Sequence, residues 1–263
     1  MTSALCRITD LSVTYRSRHP APRKALADVS LDLMPGERLA IVGESGSGKS
    51  TFARALADLL PTGATVTGRI DWQGGVTHRA GRDLGFVFQD ASASLNPLLR
   101  IGEQVAEGAR QHLGLTWHDA MGHAQAMLSR VRIPDPQKAM RLFPHQLSGG
   151  QRQRVAIAAA IVASPSILIA DEATSALDTV VQAEIVALLD DLVHQTSMTL
   201  IFVTHDIALA SNLADRIAVF KDGRLVEIGT VAEILSRPQS AYAASLVTGH
   251  RDLASQPLIR EAP

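Results

Sequence analysis

"RLAIVGESGSGKSTFARALADLL" occupies residues 38–60. It joins three signals in one line: a short apolar run, a glycine-rich loop, and a segment with apolar residues at helical spacing. A strand feeding a helix through such a loop is the opening of an α/β unit. The loop, Gly43 to Ser50, fits the pattern G-x-x-x-x-G-K-[ST] in the context that pattern requires. Its backbone N–H groups, at the positive end of the following helix, are predicted to cradle the phosphates of a nucleoside triphosphate. Gly43, Glu44, Ser45, Gly46, Ser47, Gly48, Lys49, Ser50 and Thr51 are the expected contacts. Lys49 would reach the β- and γ-phosphates, Ser50 would bind Mg²⁺, and Thr51 would extend the loop's contacts.

Working outward, "LCRITDLSVTYRS" alternates apolar and polar residues and reads as a strand. A Pro-, Arg- and His-rich loop is predicted over 16–24, a second strand follows, and Pro35-Gly36 turns the chain into the 38–42 strand. "TVTGRIDWQG" (65–74) reads as a hairpin and "DLGFVFQ" (83–89) as another strand. From residue 90 to 163 the pattern becomes helical, broken at Pro134, Pro136 and Pro144. "SILIAD", a helix from 180 to 196, "MTLIFVTHD", a short helix over 207–213 and a hairpin turning at Asp222-Gly223 complete the domain. The tail from Pro238 is expected to hold one short helix, 242–247.

The strand "ILIAD" has the composition of a buried parallel strand, with Asp171 at the carboxyl end where an α/β sheet gathers its ligands. Asp171 is the natural Mg²⁺ partner. Glu172 comes next, and a carboxylate just past the metal acid can hold the attacking water and accept its proton. Taken alone, the pair also fits a solvated strand end. Gln89 and His205 end two further strands at the same edge. The glutamine can ligate Mg²⁺ and orient water, and the histidine can bond a γ-phosphate; taken singly, each better suits an ordinary cap.

Bulk properties bound the function class. The chain has 263 residues, 46% of them hydrophobic and 19% charged, with a formal net charge of −1. A chain of that length buries roughly three-quarters of its unfolded surface without staples. The charge balance argues against nucleic acid as a partner. The single cysteine, Cys6, can form neither an internal disulfide nor a multi-thiolate metal site, and reads as a semi-buried small hydrophobe. No apolar stretch is long enough to span a bilayer, "VAIAAAIVA" being the longest, and no signal peptide is visible. The expectation is a soluble protein of a reducing, cytoplasmic compartment.

A second glycine turn, "HQLSGGQRQR" (145–154), stands where a polar turn meets a helical run. With it the motifs coincide in order, and from Leu5 to Val247 the chain resembles the ATP-binding subunits of ABC transporters. "LSGGQ" matches that family's pentapeptide, and "SALD" (175–178) matches the loop after the catalytic glutamate. The resemblance implies an α/β P-loop NTPase core, 1–89 and 164–237, carrying an N-terminal antiparallel β subdomain and a helical insertion, 90–163. Residues 1–247 would form one ATPase domain and 238–263 a short tail. It implies ATP and Mg²⁺ as cofactors, hydrolysis by Glu172 with His205 and Gln89, and metal ligation by Ser50, Gln89 and Asp171. Tyr15 would stack on adenine, although a strand tyrosine also suits core packing.

The resemblance further implies a head-to-tail pair with a second cassette, itself or a paralogue, in which Ser148, Gly149, Gly150 and Gln151, with Asp178, face the partner's nucleotide. Two membrane permease subunits would dock after Gln89, with Leu95, Pro97 and Leu98 as candidate groove residues that could also simply pack the insertion. A solute-binding protein would complete an assembly on the cytoplasmic face of the membrane. "QDASASLNPLLRIGEQ" and the ending "GRLVEIGTVAEILSRPQSAYAASLV" resemble the oligopeptide, dipeptide and nickel importer group. That group usually has His-Pro where this chain has Ser240-Ala241, and the cysteine-rich extension of some members is not seen, so no cluster cofactor is expected. Alternatives are a cassette for a metal chelate or phosphonate-type solute, a non-transport relative, or a nucleotide switch without hydrolysis. Glu172 argues against the last.

Overall fold

The computed structural model describes residues 3–16, 23–75, 78–175 and 177–255, with side chains to residue 249. Most of the loop predicted over 16–24, Ala176 of "SALD" and the end of the predicted tail, 256–263, lie outside the described residues. The strands are β1 (Cys6–Tyr15), β2 (Arg23–Leu33), β3 (Arg38–Val42), β4 (Thr65–Trp72), β5 (Leu84–Val87), β6 (Ile167–Asp171), β7 (Thr199–Thr204), β8 (Arg216–Lys221) and β9 (Arg224–Thr230). The helices are α1 (Lys49–Leu56), α2 (Ala91–Ser94), α3 (Ile101–Leu113), α4 (Trp117–Arg130), α5 (Pro136–Ala139), α6 (Gly149–Ile161), α7 (Thr179–Thr196), α8 (Ile207–Leu213), α9 (Val231–Ser236) and α10 (Ala241–Ser255).

Two sheets result. β2-β1-β4 is antiparallel, and β5-β6-β7-β3-β8-β9 is parallel except for the β8–β9 hairpin. Period-two alternation sends strand side chains to opposite faces. Leu168, Ala170, Leu200 and Phe202 join the core shared with the helices α3, α4, α6 and α7. Ile167, Ile169, Ile201 and Val203 join the core shared with α1 and the antiparallel sheet. Because both faces are covered, β6 and β7 are buried along their whole length. That is why they read as unbroken apolar runs.

Four predictions need correction. Residues 65–72 form one strand that ends in a 3₁₀ turn at Gln73–Gly75, not a hairpin: β4 pairs with β1 from Thr14↔Thr65 to Cys6↔Trp72. Gly68, inside the predicted hairpin, sits at φ 91 opposite a register shift between Thr9 and Ser12, against the Asp10 carbonyl. It is a bulge glycine, and a bulge and a turn share the same residue preference. Arg23 and Lys24 belong to β2, paired with Tyr15 and Thr14. The tail helix starts at Ala241 and runs to Ser255, well past Val247, after Ala243 and Val247 pack against α8 and α9. Cys6 is fully rather than partly buried.

Candidate functional site

A cleft of about 510 Å³ opens at the carboxyl edge of the parallel sheet, beside the 43–48 loop. Tyr15, Lys49, Ser50, Thr51, Gln89 and Glu172 are among the residues lining it. The loop's shape follows from its glycines. Gly48, the residue before α1, has φ 102, and a β-carbon there would stand 2.8 Å from the Ala25 carbonyl oxygen and from Leu26. A side chain would have to push β2 away, so the backbone approaches only as glycine. α1 starts with no side-chain cap and no acidic residue in its first turn, which leaves its positive end directed at the cleft.

Lys49 is 3% exposed. Its Nζ donates to the carbonyl oxygens of Gly43 (2.8 Å) and Glu44 (2.9 Å) and lies 3.7 Å from Glu172 Oε1. Burial pulls its pKa below the usual lysine range, against the upward pull of Glu172 and Asp171. Glu172 follows β6 at φ 49, a backbone region uncommon for a side chain this size, with its N–H bonded to the Val203 carbonyl. The turn aims the carboxylate back across the cleft, where Gln89 Nε2 donates to Oε2 at 2.9 Å. A residue held in sparse backbone space by its neighbours is a recurring mark of functional sites.

The metal reading can be tested on the donor set. Ser50 Oγ donates to Asp171 Oδ1 at 2.7 Å, and Asp171 is 1% exposed. Its Oδ2 is buried with no hydrogen-bond partner, and burial pushes its pKa up more than Ser50 and Arg54 pull it down. An orphaned carboxylate oxygen beside a hydroxyl, an amide and another carboxylate is an all-oxygen set that fits a hard cation such as Mg²⁺. Among the described residues no group of three or more His, Cys, Asp or Glu stands together. That is the usual case for Mg²⁺, which is held by one or two carboxylates plus substrate phosphates.

Other predicted site residues sit elsewhere. Tyr15 lines the cleft, but its hydroxyl also donates to Thr51 Oγ1 at 3.2 Å, tying β1 to the phosphate loop. His205 is exposed just past β7 and is not among the cleft-lining residues. Ser148, Gly149, Gly150, Gln151 and Asp178 also lie outside that lining. The first turn of α6 packs instead on the start of α7: Gly149 faces Leu177, Gly150 faces Val181, and Ser148 and Asp178 cap α6 and α7. Ser148 and Gln151 form a reciprocal capping box, each side chain bonded to the other's backbone N–H.

Sequence reading passed over Arg23, Lys24, Asp222 and Gly223 as cleft walls. The Asp222-Gly223 turn was legible as a turn. That it closes against β2, with Ala27 N–H bonded to the Gly223 carbonyl, is a contact between distant segments and left no local mark. Behind Gln89 runs an apolar groove of about 380 Å³, lined by Leu59, Phe86, Phe88, Leu95, Ala159 and Ala160 among others. Leu95 thus belongs to the groove, whereas Pro97 and Leu98 do not line it, and Leu98 is 82% exposed.

A sheet of this order with a phosphate loop, a paired acid and a helical insertion defines a P-loop nucleotide-binding cassette. The ABC transporter family matches residues 26–175, and the chain belongs to that family. It is 41% identical over 278 residues to the peptidoglycan transport ATP-binding protein YejF of Agrobacterium fabrum, covering 99% of this chain and 50% of that protein. It is 39% identical to the oligopeptide transport ATP-binding protein OppD of Bacillus subtilis, over 95% of this chain and 73% of that one. Against the glutathione import ATP-binding protein GsiA of Escherichia coli, identity is 42% over 85% of this chain and 38% of the relative. The chain therefore spans half or less of two of these three relatives. Among solved structures, it is similar to a dimeric post-hydrolysis ATP-binding cassette bound to ADP and Pi, at TM-score 0.75 and 31% identity over 86% and 98% of the two chains. The cbiO1 subunit of a Clostridium perfringens ABC transporter complex matches at TM-score 0.72 and 28% identity, over 96% of each chain.

Proposed function

We propose that this chain is the ATP-hydrolysing subunit of an ABC importer that takes up peptides or nickel and related metal complexes. The observation that carries the reading is the convergence, at one sheet edge, of Lys49, Ser50, Asp171, Glu172 and Gln89 around a single cleft. The names of the peptide, peptidoglycan and glutathione transport relatives support the peptide side of that solute class.

In this reading Lys49 and the loop N–H groups bind the β- and γ-phosphates, and Tyr15 meets the adenine. Ser50, Asp171 and Gln89 would hold Mg²⁺, which when bound offsets the phosphate charge. Glu172 takes a proton from water held between it and Gln89 while the water oxygen attacks the γ-phosphorus. The bond to the β–γ bridging oxygen breaks, leaving ADP and phosphate. His205 contacts the γ-phosphate once the cleft is closed. Closure comes from a second cassette, whose Ser148–Gln151 and Asp178 complete this chain's cleft as this chain's complete the partner's. Their position outside the cleft of their own chain supports that arrangement. The helical region 90–163 moves against the remainder, 1–89 and 164–237, and the groove behind Gln89, with Leu95 in its wall, receives a permease subunit at the cytoplasmic face of the membrane. A solute-binding protein delivers the cargo to the two permeases.

ATP turnover by the purified chain, alone and with its membrane partners, tests the reading. Glu172→Gln should lower turnover by about 10²-fold or more while ATP still binds, the scale expected for a positioned base. Lys49→Ala should lose binding itself. Wild-type turnover in the glutamine variant would remove Glu172 from the role of base. Co-purification from membranes with two permeases and a peptide-binding protein is expected; an unrelated set of partners would overturn the importer assignment.

A further inference from the structure

The start of the phosphate loop is gripped from a direction that the nucleotide site does not require. Tyr242, on the first turn of α10, accepts a hydrogen bond from the Glu44 N–H at 3.0 Å. The carbonyl of that same peptide unit, Gly43 O, accepts from Lys49 Nζ at 2.8 Å, and the next carbonyl, Glu44 O, accepts from it at 2.9 Å. A peptide group is planar and stiff. One rigid plane therefore links the tyrosine hydroxyl to the buried ammonium, and hydrogen bonds at both ends of a peptide polarise each other.

The tyrosine is itself fixed. Its half-buried ring lies 4.7 Å from Lys221 Nζ, which sits over the ring face. The chain leading into α10 is clamped by Glu227 on β9: Oε1 accepts the Gln239 N–H and Oε2 the Ser240 N–H, both at 2.8 Å. Ser240 Oγ then accepts the Ala243 N–H at 3.0 Å and starts the helix. The clamp, the ring and the loop thus form one connected chain of contacts from the β8–β9 hairpin through the C-terminal helix to Lys49.

We propose that Tyr242 is a positioning residue for nucleotide binding: from the C-terminal helix, with Glu227 anchoring that helix, it holds the Gly43–Glu44 peptide so that Lys49 and the loop are preformed for the phosphates. The inference rests on the ATP-binding reading above. A preformed loop lowers the ordering cost of binding and leaves the chemical step alone. Its signature is a change in affinity without a change in kcat.

The test uses the full-length chain. ATP affinity without Mg²⁺ is measured by calorimetry, and KM and kcat with Mg²⁺, for the unchanged protein, Tyr242→Phe, Glu227→Ala and the double variant. Phenylalanine keeps the ring and its packing and removes only the acceptor. Losing one neutral hydrogen bond should raise Kd and KM about fivefold, with kcat unchanged and the melting temperature lower by no more than about 2–4 °C. Glu227→Ala should move Kd and KM in the same direction, and the double variant should lose little more than the larger single effect. Unchanged affinity in a folded Tyr242→Phe, a fall confined to kcat, or fully additive losses would each overturn the proposal. Should Glu227→Ala fail to fold, Tyr242→Phe decides alone. An unchanged chain that binds no ATP would instead remove the reading on which the proposal stands, and the proposal with it.

Discussion

Asp171 carries a cost for the ligand-free protein. It is buried, one of its oxygens is unpartnered, and its pKa is held above the ordinary carboxylate range by desolvation. A carboxyl group with a raised folded-state pKa adds stability at pH below its unfolded pKa, and that stability is lost as pH rises through the folded value. At neutral pH the ionised side chain therefore weighs against folding. Asp171→Asn removes the buried charge; the amide it leaves unpaired costs less than an unpaired ion. The asparagine variant should melt higher than the unchanged chain at pH 7, with the difference shrinking as pH falls below the raised pKa. The same change should weaken Mg²⁺ binding by at least about 10–100-fold, the loss that follows even when only the groups supporting a metal's ligands are disturbed. Differential scanning calorimetry across pH and a Mg²⁺ titration of ATP turnover check the two halves. A lower melting temperature at pH 7 would show that the bond from Ser50 outweighs desolvation. These residues were legible in the sequence because each ends a buried apolar strand or opens a glycine loop. Tyr242's grip on Glu44 was not, since a contact spanning 198 positions leaves no local spacing to read.

The first turn of α6 closes a helix cap and, in the proposed function, also faces a partner's nucleotide; the two roles can be separated. Ser148 and Gln151 close the capping box, so Ser148→Ala should cost about 1 kcal/mol of stability. For a chain above 200 residues that is a fall of about 2–4 °C in melting temperature. Ser148→Asp keeps an equally good cap and adds a negative charge at the helix's positive end, so stability should hold or rise. If Ser148 also faces a partner's γ-phosphate, the aspartate should abolish turnover by the assembled pair through charge repulsion. A stable, fully active aspartate variant would leave Ser148 as a cap alone. The sequence showed where this helix begins because the serine, the glycines and the apolar run meet there. It misread β4 and the end of α10 for the opposite reason. Gly68 has the same local signature as a turn residue, and only pairing along all of β1 makes it a bulge. α10 takes its start from Glu227 and its packing from α8 and α9, elements that its own residues do not announce.

At the scale of the whole molecule, Cys6 reports whether the antiparallel sheet and the nucleotide core unfold together. Its side chain is fully buried in the core that β1, β2 and α1 share with one face of the parallel sheet. Burial, reinforced by Asp71 and Asp32, pushes the thiol pKa up to about 12. A native thiol in that setting is almost never a thiolate at pH 8, so reaction with a thiol reagent must wait for the protein to open. Phe52 sits in the same core, its ring 5.4 Å from Phe220, and α1 carries it from the phosphate loop. If the core opens as one unit, ATP binding at the loop stabilises Cys6 too. At 100 times Kd the ligand contributes about 2.7 kcal/mol, which should slow labelling about 100-fold when opening and closing outpace the reagent. Phe52→Ala should accelerate it steeply, because truncating a buried phenylalanine costs about 3–5 kcal/mol. Labelling followed by mass spectrometry, with ATP present and Mg²⁺ withheld so that nothing is hydrolysed, separates the cases. Rates that ignore ATP would mean that β1, β2 and β4 open independently. The contacts from Tyr15 to Thr51, Gly48 to Ala25 and Gly223 to Ala27 argue that they do not.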